Sequence, residues 1–183
     1  MPPIAAEAMT PEQRVAASEI AAGRRGALSG PFVPALRSPE FTRRLARVGE
    51  YLRYEPALPP KLREMAILLT AREWTQHFEW DVHAPLAEQA GLARGIIDAI
   101  ATGRRPSSMA PEESLLYGFY MELQQTRGMT DATYADAVAA FGEQGVIDLV
   151  GIIGYYTTLA MIMNVARTPL PADRTPVLRP LSR

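Results

Sequence analysis

Apolar positions along this chain recur every three to four residues, the spacing of one helix face, and no stretch shows the strict alternation of a half-buried strand. The first such segment opens at Thr10-Pro11-Glu12-Gln13, with Thr10 as N-cap, Pro11 in the first turn and Gln13 closing a capping box, and runs through Ile20 to a stop between Gly23 and Gly26. The next fourteen residues, GALSGPFVPALRSP, hold three prolines and two glycines and read as an ordered loop with apolar anchors. Ser38-Pro39 repeats the cap-then-proline signal and starts a helix striped by Phe41, Leu45, Val48 and Leu52. Leu58-Pro59-Pro60 is a hard stop, and a mostly apolar helix follows it.

A second helix is expected from Thr75, as N-cap, to Gly91, with Pro85 bending it or loosening a turn. Shorter elements follow: 92–102 closed by Gly103, a loop over 106–111, a helix over 112–127 ended by Gly128, and one from Thr130-Asp131 through Phe141. The last helix spans about 143–167. Its run from Leu149 to Met163 is apolar apart from Gly151, Gly154 and two threonines, fifteen residues bordered by Asp148 and Asn164. A membrane span needs about 20, so a buried helix is the better reading, with Gly145, Gly151 and Gly154 allowing close approach in a core or a subunit contact. The tail from Pro169 holds four prolines and is expected on the surface or over a neighbour. The fold class is all-α.

Composition narrows the picture. At 183 residues the chain suits one domain, 1–183, with one sizeable core. A net charge of −1 gives no reason to expect nucleic acid or an acidic membrane as partner, and the pairs Arg24-Arg25, Arg43-Arg44 and Arg104-Arg105 read as solvated surface. Cysteine is absent, which excludes disulfides and thiol nucleophiles. The segment MPPIAAEAMT has neither the basic nor the apolar region of a secretory signal, so a cytoplasmic location is expected.

The candidate chemistry lies in Leu62 to Gly91. Each helical residue advances about 100° around the axis, so Glu64 shares its face with Ile67, Leu68 and Ala71. His83 shares its face with Glu79, Trp80, Leu86, Ala87 and Ala90, and Gln76 falls one turn earlier. His77, Asp81, Glu88 and Gln89 fall on the opposite, solvent side. Ionisable groups on an apolar face are costly unless paired. A Glu64–His83 or Glu79–His83 hydrogen bond would offset that cost and tune the histidine for acid–base work, or tie the core together. Glu64, Glu79 and His83 are also conceivable metal ligands, but with a single histidine and no cysteine no metal is expected. Trp74, Phe78 and Trp80 read as core packing.

The pieces LPPKLREMAILLTAREW, FEWDVHAPLAEQAGL and IIDAI, within residues 58–100, resemble the carboxymuconolactone decarboxylase family, which shares its fold with alkylhydroperoxidase D. The resemblance rests on Glu64, on His83 nineteen residues later, and on Ala87, Ala90, Gly91 and Leu92 behind it. In the peroxidase branch a Cys-x-x-Cys pair precedes the histidine. Here Gln76 and Glu79 stand at those positions, so thiol peroxidase activity cannot be carried over.

The resemblance implies an all-helical bundle with a central helical hairpin, assembled as a homotrimer or homohexamer with its sites near subunit contacts. It implies cofactor-independent decarboxylation, or a related proton transfer, on a small carboxylated lactone or keto acid. His83 would be the proton donor, Glu64 would hold it, and Glu79 would tune it or bind substrate. Gln76, Trp80 and Arg72 are the candidate substrate-binding residues. A substrate carboxylate calls for an arginine, and Arg63 and Arg72 are the nearest in sequence. The rival readings are a non-catalytic helical scaffold and a lactone hydrolase or isomerase.

Overall fold

The computed structural model describes residues 1–180; of the proline-rich tail over 169–183, positions 181–183 lie outside the described residues. Among the described residues all regular structure is helical. A short 3-10 turn at Ala6–Ala8 precedes α1 (Pro11–Ala22), α2 (Phe32–Ala35), α3 (Pro39–Tyr54), α4 (Pro60–Glu73), α5 (His77–Gln89), α6 (Arg94–Ala101), α7 (Pro111–Thr126) and α8 (Asp131–Ala166).

α4 is the axis of the molecule. Its side chains from Glu64 to Arg72 are buried on every side, because α5, α6, α7 and α8 all pack against it. Met65, Ala66, Ile67 and Leu68 have no exposed surface and meet Leu116, Leu149, Ile152 and Met163 in one apolar cluster. α4 and α5 form the expected central hairpin. The turn between them passes through Thr75 in the left-handed region (φ 47), with the Gln76 amide donating to the Ala71 carbonyl at 2.8 Å.

Several local expectations hold. The Thr10–Gln13 capping box forms in both directions, and Gly91 (φ 90) lies just past the end of α5. α8 is broken at Gly142, with φ 69 and ψ 165, so 131–141 and 143–166 are separate rods, as the pattern predicts.

Others are corrected. Gln76, not Thr75, caps α5, its side-chain oxygen accepting from the Phe78 amide at 2.8 Å. Ser38 makes no side-chain cap bond. The proline-rich loop contains the turn of helix α2. α7 ends on Arg127 in the left-handed region (φ 60) rather than on Gly128. On α3 the buried positions are Thr42, Gly49 and Leu52, while Phe41 and Val48 are 46% and 52% exposed. The tail crosses the surface and inserts Leu178 into the core. α8 is long and apolar enough to span a membrane, yet 56% of its most apolar window is buried in the molecule.

Candidate active site

Glu64 sits one turn into α4, and Glu79 and His83 lie one turn apart on α5, so the hairpin brings all three together. They are 3%, 4% and 1% exposed. His83 Nδ1 lies 2.7 Å from Glu64 Oε2, a short charge-assisted distance. On the other side of the ring, Nε2 lies 3.4 Å from Glu79 Oε2. The second oxygen of Glu64 accepts from Arg63 Nε at 3.3 Å. The Tyr156 ring stands edge-on to the imidazole with centroids 5.1 Å apart.

The two carboxyl groups are driven in opposite directions. Burial pushes Glu79 up, against weaker pulls from His83, Arg53 and Arg25, and the net result is a raised pKa. Burial also pushes Glu64 up, but its bond to His83, the charge of His83 and the neighbouring Arg63 outweigh it, and the net result is a lowered pKa. Two acids of one type, separated by their surroundings, are how a single site holds a base and an acid at neutral pH. Ionised Glu64 accepts the Nδ1 proton, which fixes the tautomer and leaves Nε2 facing Glu79. At 3.4 Å that gap is longer than a formed hydrogen bond. Tyr156 is raised far above the usual tyrosine range by burial and keeps its proton.

Glu79 and His83 form one wall of a cavity of about 100 Å3 whose other walls include Arg25, Phe32, Arg53 and Tyr156. Glu64 is not on that wall. It lies behind the imidazole and acts through it. A larger cavity of about 400 Å3 opens between α1 and α3, but no buried acid–base group faces it, and chemistry rather than volume locates the site.

The remaining residues nominated from sequence are elsewhere. Gln76 is buried, and both ends of its amide are used: one caps α5 and the other donates to Asn164 Oδ1 at 2.8 Å. Trp80 is buried in the core cluster and does not line the His83 cavity. Arg72, at the far end of α4, donates to the Arg179 carbonyl at 2.6 Å, and its Nε and one terminal nitrogen have no partner. Substrate contact at His83 by Gln76, Trp80 or Arg72 is therefore not what this geometry offers. His77 is not a solvent-facing residue: it is half-buried, with Nδ1 enclosed and unpartnered. The three candidate ligands do not converge on one point, because Glu64 and Glu79 take opposite nitrogens of His83, and no group of three such side chains among the described residues could hold a metal ion.

Arg25, Arg53 and Tyr156 were missed by sequence reasoning. Arg25 belongs to a pair read as surface. The available signal was Gly49, a glycine inside the α3 pattern, which marks a close approach to that face.

Residues 39–117, from the start of α3 into α7, match the Carboxymuconolactone decarboxylase family. Glu64, Glu79 and His83 all lie inside the matched span. Comparison with curated proteins and with solved structures gives no match.

Proposed function

Taking the chain as a member of the carboxymuconolactone decarboxylase family through residues 39–117, we propose that it decarboxylates, or moves a proton on, a small carboxylated lactone or keto acid without a cofactor. The observation carrying this reading is the imidazole of His83 held between two buried carboxyl groups, 2.7 Å from Glu64 and 3.4 Å from Glu79, at the wall of a small cavity. In decarboxylation the bond to the carboxylate carbon breaks, CO2 leaves, and the electron pair passes into the adjacent carbonyl as an enolate. Glu79 passes a proton to His83 Nε2, which delivers it to carbon, and water restores the proton on Glu79. Glu64 holds Nδ1–H throughout and stabilises the charged imidazole while it exists. General acid catalysis of this kind contributes about 10²–10⁴-fold.

The cavity also bears on the scaffold alternative. A filled pocket would favour it, and Trp80, the side chain best able to fill the space, lies in the core instead. The reading includes a cytoplasmic protein assembled from identical subunits as a homotrimer or homohexamer.

The test is turnover of a panel of carboxylated lactones, followed by CO2 release and product mass. His83→Ala is expected to abolish turnover with helicity and assembly intact. Activity retained per folded subunit would remove the catalytic role, and a product of unchanged mass would point to isomerisation instead.

A further inference from the structure

Two arginines face the His83 cavity, and neither is neutralised. Arg25 comes from the chain just after α1 and is fixed in place: a terminal nitrogen donates to Tyr155 Oη at 3.0 Å, and its guanidinium lies 4.6 Å from the centre of the Phe32 ring. The backbone makes room for this pair. A Cβ on Gly49 would fall 1.9 Å from Tyr155 Oη and 2.5 Å from the Arg25 guanidinium. Arg53, from the last turn of α3, rests 5.6 Å from the Tyr54 ring centre. Among the described residues neither guanidinium pairs with a carboxylate. The one acid on the cavity wall, Glu79, makes no ion pair with either guanidinium, and burial raises its pKa. Arg63 is engaged by Glu64 and Arg72 by the tail, so neither competes for the role.

We propose that Arg25 and Arg53 clamp a carboxylate of the substrate and hold its reacting carbon against the His83–Glu79 wall. This rests on the reading of that wall as the catalytic site, and it names the substrate class: a compact organic anion. A cavity of about 100 Å3 is well below the ~300–1,000 Å3 of sites for drug-sized ligands. It admits a carboxylate and the few carbons next to it. Where the reaction releases CO2, the clamped carboxylate is one that stays with the product, because gripping the departing group would stabilise the reactant and slow the step.

The probe pair is 5-oxotetrahydrofuran-2-carboxylate and its uncharged methyl ester, titrated calorimetrically into the full chain. The acid is expected to bind more tightly than the ester. Arg53→Gln and Arg25→Gln should each weaken the acid about tenfold or more, as loss of a charge-assisted contact does, and leave the ester unchanged. Arg53→Lys should recover part of the loss. Arg44→Gln removes an equal charge from the outer face of α3 and should bind as wild type. An acid bound no better than its ester, or acid affinity unchanged in Arg53→Gln and Arg25→Gln, overturns the clamp. These readouts are of binding alone. A failed clamp therefore leaves the His83 chemistry standing, and turnover that survives His83→Ala removes that chemistry without touching the clamp.

Discussion

The acid–base trio makes opposite demands on its two carboxyl groups, and stability as a function of pH separates them. Glu64 has a lowered folded pKa, so its contribution is present above the ordinary glutamate value and is lost as pH falls through the folded one. Glu79 has a raised folded pKa, so its contribution is complete below the ordinary value and is lost as pH rises through the folded one. Glu64→Gln leaves His83 and Arg63 without their anion and should cost about 3–5 kcal/mol at pH 7, shrinking toward zero in acid. Glu79→Gln should become stabilising relative to wild type as pH rises above about 4.5. Urea melts of both variants at pH 4 and pH 7 check the pair, and a penalty for Glu79→Gln that grows with pH would show that Glu79 is ionised in the folded protein. Glu64, Glu79 and His83 were legible because each breaks the apolar pattern of its own helix, and that conflict is local. Arg25 and Arg53 break no pattern, and they reach the site only because α1 packs on α3, α2 and α3 pack on α8, and Gly30 before α2 meets Phe78 of α5.

Helix ends were legible where one residue type dictates the geometry and misread where a side chain from a neighbouring position took over. Thr75 has the residue type of an N-cap, but the α4–α5 turn needs a left-handed residue there, and the cap passes to Gln76. Of the α3 stripe, Leu45 and Leu52 meet the core but Phe41 and Val48 do not, because this helix also seats through small groups: the Thr42 hydroxyl bonds back to the Ser38 carbonyl at 2.8 Å, and Gly49 accepts Tyr155 and Arg25. Apolar periodicity counts large residues and cannot register a contact made by the absence of one. The break at Gly142 shows the opposite case. Its φ of 69 and ψ of 165 belong to a region occupied almost solely by glycine, and no neighbouring atom lies within 4 Å of the Cβ position. Gly142→Ala should therefore cost about 1–3 kcal/mol through backbone strain alone, read as a lower urea midpoint with unchanged slope. A neutral result would mean that the two rods can join into one straight helix at no cost.

The whole molecule leaves one face unfinished. Ile147, Val150, Gly154, Met161 and Val165 follow the helical repeat along α8 and are exposed, Ile147 by 69%. Between Asp148 and Arg167 the helix carries no charged residue, whereas a helix facing water places polar groups on its outer side. Val48 and Tyr51 of α3 extend the apolar face across a groove of about 690 Å3. The sequence pattern anticipated the buried half of α8, since Leu149, Ile152, Tyr156 and Leu159 meet the core, but an unbroken apolar run cannot say what covers its other side. A bilayer would have to draw α8 away from α4 and expose those same residues. A second copy of the chain, as proposed above, would cover the stripe with the core left in place, and the open space at Gly154, where nothing lies within 4 Å of a Cβ, would let a partner helix approach closely. If the proposed homotrimer or homohexamer forms through this stripe, Ile147→Asp should shift the protein toward monomer in light scattering, with helicity unchanged because the side chain makes little contact within its own subunit. A monomeric wild type, or a variant of undiminished mass, would leave the stripe to some other partner.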